Sequence, residues 1–378
     1  MLRAMELTGN ASSVHAEGRG SRQVMEDARD QVARAVGVIA PLVAFTSGGS
    51  EANNWALKGA PVERLIVSAI EHPSVLEAAK ASGKPVALIP VNGHGVIDLA
   101  ALERLLDGPK ALVSTMLANN ETGVLQPIRD VVALAQAHGA LVHTDAVQAL
   151  GKIPVNFGLL GADLMTLSAH KLGGPLGAGA LIVRDGLALE PLIHGGGQEL
   201  RRRAGTENLV SIAGFGAVAS ENLNAVNTLR DELESSLEDA IIFGAAAARL
   251  PNTSCFAMPG LNAETLLMAF DLEGIAVSSG SACSSGKVTK SHVLAAMGVA
   301  PEISRAAIRV SLGWDTTSEH IHHFIAVWRK LVARHQARTN SFVMPGHVPG
   351  ISRPPVTAAM AGTVPGHDEP ERAGLGNG

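Results

Sequence analysis

Six short runs rich in Val, Ile, Leu and Ala, at 64–68, 86–89, 111–114, 141–143, 164–167 and 180–183, alternate with helical patterns through the first half of the chain. Strands separated by helix-length connections pair most readily in parallel, each crossover carrying a helix back over the sheet. The rhythm therefore predicts an α/β fold, a large, mostly parallel sheet wrapped by helices. Residues 23–36 read as an amphipathic helix with Val24, Ala28, Val32 and Ala35 on one stripe. From about 227 to 239 the sequence turns charged and helical, and a smaller α+β region follows. We place a large domain at 1–226, a small one at 227–340, and a disordered tail rich in Pro, Gly and Ala at 341–378. No internal repeat is present.

Within this frame the segment from Leu167 to Gly174 stands out. The preceding Asp-Leu-Met-Thr-Leu reads as a buried strand, and the glycines after Lys171 permit close approach of backbone to a ligand. A lysine taken out of water at such a turn favours the neutral amine, a nucleophile suited to a Schiff base. Upstream, the strand at 141–143 runs into Asp145, an acid at a strand's carboxyl end, where open α/β sheets put their ligands. Taken alone, Asp145 could equally cap a helix. A Schiff-base lysine paired with such an acid is what pyridoxal phosphate (PLP) needs, the carboxylate keeping the ring nitrogen protonated. Gln148, three residues on, can donate to the ring's phenolic oxygen. A phosphate cradle is offered by Leu42 to Asn53, a β-rich run, then Gly48-Gly49-Ser50, then a helix-forming segment whose first N–H groups would face a dianion. It is neither a Walker loop nor a dinucleotide fingerprint, and a plain strand-to-helix turn also fits it.

The chain has no tyrosine, which excludes any mechanism using one as stacking group or proton donor and leaves histidine as the aromatic acid/base candidate. His72 lies just past the strand at 64–68. Of the two cysteines, Cys283 sits in Ser-Ser-Gly-Ser-Ala-Cys-Ser-Ser-Gly, too polar and glycine-rich for a packed strand, and is expected on a mobile, reachable loop. Cys255 lies in a strand-like run and reads as a small buried hydrophobe.

Eight motifs in one order, Thr46–Glu51, Glu71–Ser74, Asn119–Gly123, His143–Gln148, Ser168–Lys171, Arg203–Asn208, Ser279–Gly286 and Arg309–Gly313, resemble those of class V PLP enzymes, specifically the NifS/IscS-type cysteine desulfurases. The likeness spans roughly residues 9 to 335. It implies a fold type I PLP-dependent transferase, a homodimer with its site at the subunit interface. Lys171 would hold PLP, Asp145 would pair with the ring nitrogen, and Gln148 and Asn120 would lie near the phenolic oxygen. His72 would stack on the ring. Gly49, Ser50, Ser168 and His170 would form the phosphate site, with Thr206 reaching it from the other subunit. Arg309, beside Asn120, would hold the substrate carboxylate, since its planar fork matches a carboxylate bidentately. Lys171 and His72 would move protons, and Cys283 would accept sulfur from L-cysteine, giving alanine and a persulfide for an iron-sulfur scaffold, another sulfur-acceptor protein or tRNA thiolation. Another class V enzyme, a selenocysteine lyase or an aminotransferase, is an alternative, as is a catalytically impaired binding paralogue. The family opens with a strand and an Asn-Ala-Thr-like turn, whereas Met1 to Leu7 reads as the helix after that turn, so this first strand is expected to be missing.

Charge and cysteine content bound the rest. A formal net charge of −5 gives no reason to expect nucleic acid, and two cysteines cannot build a disulfide framework or a four-cysteine zinc site. No uncharged apolar run is long enough to span a bilayer, and no signal core opens the chain, so a cytoplasmic, reducing location is expected. In the cluster His320, His322 and His323, residues at i and i+2 lie on different helix faces, so a solvated helix is expected rather than a metal site. No resident metal is expected, Cys283 meeting a nascent iron-sulfur cluster only through its persulfide.

Overall fold

The computed structural model describes residues 1–221, 226–280 and 290–342, without the side chains of 338–342. Residues 1–335 form one compact unit. Seven strands build its large sheet: β1 (Val43–Thr46), β2 (Arg64–Ser68), β3 (Val86–Ile89), β4 (Ala111–Ser114), β5 (Leu141–Asp145), β6 (Leu164–Ser168) and β7 (Gly179–Val183). Their order is β1-β7-β6-β5-β4-β2-β3. Pairs among β2 to β6 are parallel, and β7 runs antiparallel to both its neighbours, so β1 points the same way as the parallel set. Helix-sized connections bring each parallel strand back to start on the same side.

Side chains alternate across this sheet, as a strand's twofold period requires. Phe45, Ile66, Val113, Val142, Met165 and Ile182 enter one core with the helix Ala16–Ala35. Ala44, Leu65, Leu112, Leu141, Leu164 and Leu181 enter the other with Trp55, Ala56 and Leu57 of the helix Gly49–Gly59. Both faces are covered, which is why the strands read as continuous apolar runs.

A second sheet, entirely antiparallel, has the order β10-β11-β9-β8 from β8 (Ile241–Ile242), β9 (Thr253–Ala257), β10 (Ser278–Ser279) and β11 (Ala307–Ser311). Its core joins Phe256, Phe270, Phe324 and Trp328, with Phe256 edge-on to Trp328 at 5.3 Å between ring centroids. Cys255 is buried on β9, and burial pushes its thiol well above the usual range.

The helix expected at 23–36 begins earlier, at Ala16, capped by His15, whose Nδ1 accepts the Gly18 N–H at 3.2 Å. Its buried face carries Met25, Ala28, Arg29, Val32 and Ala33, while Val24 and Ala35 are half-buried. The stripe is thus rotated from the expected one by a buried arginine. The fork of Arg29 bonds both carboxylate oxygens of Glu199, at 2.6 and 2.9 Å, and its side chain and that of Glu199 are 8% and 1% exposed. Among the described residues no helix is long and apolar enough to cross a membrane.

Candidate active site

Five strands of the large sheet end on one side, and the residues just beyond those ends enclose a cavity of about 350 Å³. β1 leads to Gly49 and Ser50, β2 to His72, β4 to Asn120, β5 ends on Asp145 and leads to Gln148, and β6 ends on Ser168 and leads to His170 and Lys171. Arg309, from β11 of the second sheet, completes the wall. A groove of about 870 Å³ on another part of the surface is larger but brings together no such set, so chemistry and not volume selects the site.

Asp145 forms the buried floor. Oδ2 accepts from Asn53 Nδ2 at 2.8 Å and Oδ1 from the Val147 N–H at 2.9 Å. Burial pushes its carboxyl above the ordinary value, against these two bonds and the His72 and Lys171 charges. Asn53 also donates to the Ser74 hydroxyl at 2.9 Å, tying the helix Gly49–Gly59 to the His72 turn. His72 caps the helix Pro73–Lys80, its Nδ1 accepting the Ser74 N–H at 3.1 Å. With Nδ1 so used, the neutral ring carries its proton on Nε2. Burial lowers the pKa of His72; the Asp145 carboxylate opposes this, and the Lys171 and His292 charges reinforce it.

Lys171 lies in a one-turn helix, Ala169–Leu172, and is exposed at the cavity rim. The expectation of a lysine taken out of water is not met: the residue follows the buried strand rather than belonging to it, and the cavity is open. His170 is exposed beside it, with Nδ1 2.9 Å from the buried Ser168 hydroxyl. The helix Gly49–Gly59 begins at Gly48 with no side-chain cap. The turn is compact because Gly179 of β7 packs against it: a Cβ there would lie 2.6 Å from the Cα of Gly48. Asn120 is presented by Asn119, whose Oδ1 accepts from the N–H groups of Glu121 and Thr122, both at 2.9 Å. Arg309 Nη1 donates to the Asn120 carbonyl at 2.7 Å, and its Nε, like Asn120 Oδ1, is buried without a partner.

Two expected residues stand apart. Thr206 is exposed and does not line the cavity of its own chain. Cys283 lies outside the described residues. Just past that segment, the Ser291 hydroxyl donates to Glu121, whose carboxyl burial raises to about 7 against that bond and the Arg309 charge. His322 and His323 turn to different partners, the Glu232 carboxylate and the Glu273 carbonyl.

Residues 3–324 match the family described as aminotransferase class V. The chain belongs to that family. Among class V relatives, the cysteine desulfurase IscS of Dictyoglomus turgidum is 39% identical over 349 residues, covering 87% of this chain and 89% of its own. The NifS-like protein of Rickettsia africae superposes with a TM-score of 0.81 at 37% identity, over 88% of this chain and 94% of its own. The protein SspA, solved in complex with cysteine, gives 0.74 at 31%, over 82% and 94%. In a class V enzyme the cofactor is PLP, and the donors here fit it. At the floor is a buried carboxylate with no bonded cation among the described residues, suited to a pyridinium N–H; an uncapped helix start suits a phosphate, and a rim amine the aldehyde.

Sequence reasoning missed Asn53 and Ser74, although Asn53 falls four residues after Gly49 on the same helix face. It also missed Lys152, which donates to Gln148.

Proposed function

We propose that this chain is a PLP-dependent cysteine desulfurase that takes sulfur from L-cysteine, leaves L-alanine and holds the sulfur as a persulfide on Cys283. The observation that carries this reading is the opposition, in one cavity, of Lys171 and Asp145 to an arginine with an unpaired Nε. Relatives of about this length named for the same activity support it.

Bound PLP withdraws electrons from the bonds beside the amine nitrogen it carries. Asp145 would keep the proton on the ring nitrogen, Gln148 and Asn120 would serve the phenolic oxygen, and His72 would pack on the ring. Gly49, Ser50, Ser168 and His170 would hold the phosphate, with Thr206 of the partner subunit completing that site. That Thr206 lies off its own cavity favours a homodimer. Arg309 turns its free Nε to the carboxylate of cysteine, already steadied through Nη1 by the Asn120 carbonyl. The Lys171 amine takes and returns the proton at the substrate's Cα. The Cys283 thiolate attacks the substrate sulfur, forming the S–S bond as the Cβ–S bond breaks; that bonding pair stays with the substrate, which takes up a proton and leaves as alanine. The persulfide passes directly to an iron-sulfur scaffold or another sulfur-acceptor protein, in a reducing, cytoplasmic setting. Residues 1–226 serve as the cofactor domain and 227–340 as the smaller domain that brings Arg309 and Cys283 to it.

The test is alanine and sulfide release from L-cysteine with PLP, with and without an added keto acid. The Cys283→Ala variant is expected to keep the visible band of bound PLP and release little sulfide. Normal turnover by that variant overturns the thiol's role, and strict dependence on keto acid would make the chain a transaminase.

A further inference from the structure

Lys152 has no part in the roles above, yet it sits one turn past Gln148, in the bend that follows β5, with Nζ 2.7 Å from Gln148 Oε1. It lines a second cavity of about 230 Å³ that shares Gln148, His170 and Lys171 with the first. An ammonium has three donors and no acceptor, so it bonds only the oxygen of an amide. The two ends of a glutamine amide are otherwise nearly interchangeable in shape, and a phenolic oxygen that carries negative charge accepts only from the nitrogen end.

We propose that Lys152 is a positioning residue of the cofactor site: its Nζ holds Oε1 of Gln148, so that the amide NH₂ is the end presented to the phenolic oxygen of bound PLP. This rests on the PLP reading above and deepens it. The residue is well placed to act through Gln148 and not by touching the cofactor, because Gln148 lines both cavities, whereas Lys152 lines only the second and Asp145 only the first. The charged and titratable groups facing it are Lys171, Arg309 and, around the second cavity, His170 and Glu221. Burial, with the Lys171 and Arg309 charges, lowers the Lys152 pKa to about 7, while the bond from Nζ to Gln148 Oε1 is one that the ammonium form makes.

The experiment is a double-mutant cycle on Lys152→Met and Gln148→Leu, read by the pH titration of the visible band of bound PLP and by the PLP dissociation constant from dialysis. A donor to the phenolic oxygen favours the deprotonated form of the neighbouring nitrogen. Losing that donor is therefore expected to raise the band's midpoint by about half to one pH unit, the size of one hydrogen bond. Lys152→Met is expected to reproduce the Gln148→Leu shift, and the double variant to shift no further. Lys152→Arg, which keeps a donor without an acceptor, is expected to restore most of the wild-type midpoint. In the cofactor-free protein, amine labelling read by mass spectrometry is expected to give Lys152 a midpoint near neutrality that moves in Gln148→Leu. An unchanged midpoint in Lys152→Met, or the same shift in the Gln148→Leu background, overturns the proposal, the latter by showing a direct charge effect. Wild-type protein that gains no visible band with PLP would instead overturn the cofactor reading beneath it.

Discussion

Truncating Glu199 to alanine removes three bonds at once: two from the Arg29 fork and one from the Phe45 N–H, which donates to Oε2 at 2.9 Å. Arg29 is left buried with the Val43 carbonyl, a half-exposed Glu26 and the Phe45 ring 4.7 Å away. Stripping one partner from a buried ion pair costs about 3–5 kcal/mol, and the orphaned N–H adds about 1–3 kcal/mol. Strain works the other way. Glu199, Leu200 and Arg201 all have positive φ, at 45°, 57° and 66°, without being glycine. Each such residue costs about 1–2 kcal/mol. Leu200 is 71% exposed, so little packing holds the segment once its anchor is gone. Relaxation recovers part of the loss, and the net effect on unfolding is expected to be about 2–4 kcal/mol. Urea unfolding of the cofactor-free protein, followed by tryptophan fluorescence and far-ultraviolet circular dichroism together, measures it. Replacing both partners, Arg29→Met with Glu199→Met, is expected to cost less than the single truncation because no charge is left stranded. A loss under about 1 kcal/mol for Glu199→Ala, or a double replacement worse than the single one, would refute the reasoning.

Gly179→Ala drives a Cβ into the Gly48 backbone and is expected to cost about 1–3 kcal/mol of stability by overpacking and to weaken PLP binding about tenfold or more; wild-type affinity by dialysis would exclude that cradle. His143 is fully buried between the Ser114 and Thr166 hydroxyls, and burial lowers its pKa from an ordinary 6.5 to about 3. Between these values the unfolded chain binds the extra proton, so the stability His143 contributes is complete above pH 6.5 and drains away as pH falls toward 3. His143→Asn is expected to flatten that part of the stability profile, and an unchanged slope counts against it.

The inner strands were legible because both faces of the sheet are covered there, which leaves unbroken aliphatic runs; β2 and β4, and the half-exposed edge strand β3, begin and end where the sequence placed them. The start of the first long helix was hidden by Gly18 and Gly20, poor helix formers. Gly18 is there because a Cβ would lie 2.5 Å from the Ser13 carbonyl, a constraint set by the fold and not by the local sequence. Arg29 escaped notice for a similar reason: its partner is 170 residues away. Within the site, Asp145, Gln148 and Lys171 show themselves by lying at strand ends. Asn53, Ser74 and Lys152 act through a second residue, and no spacing rule marks a side chain whose task is to orient another.

The two outer strands of the large sheet carry one last consequence. At one margin, two backbone groups of β1 are occupied by side chains: the Val43 carbonyl accepts from Arg29 and Arg202, and the Phe45 N–H is taken by Glu199. At the other, β3 shows Val86 and Leu88 to solvent, but it is four residues long and bracketed by Pro85 and Pro90. A passing strand therefore finds polar groups already bonded on one border and almost no ladder to extend on the other. The two margins of the large sheet are therefore poor templates for strand addition.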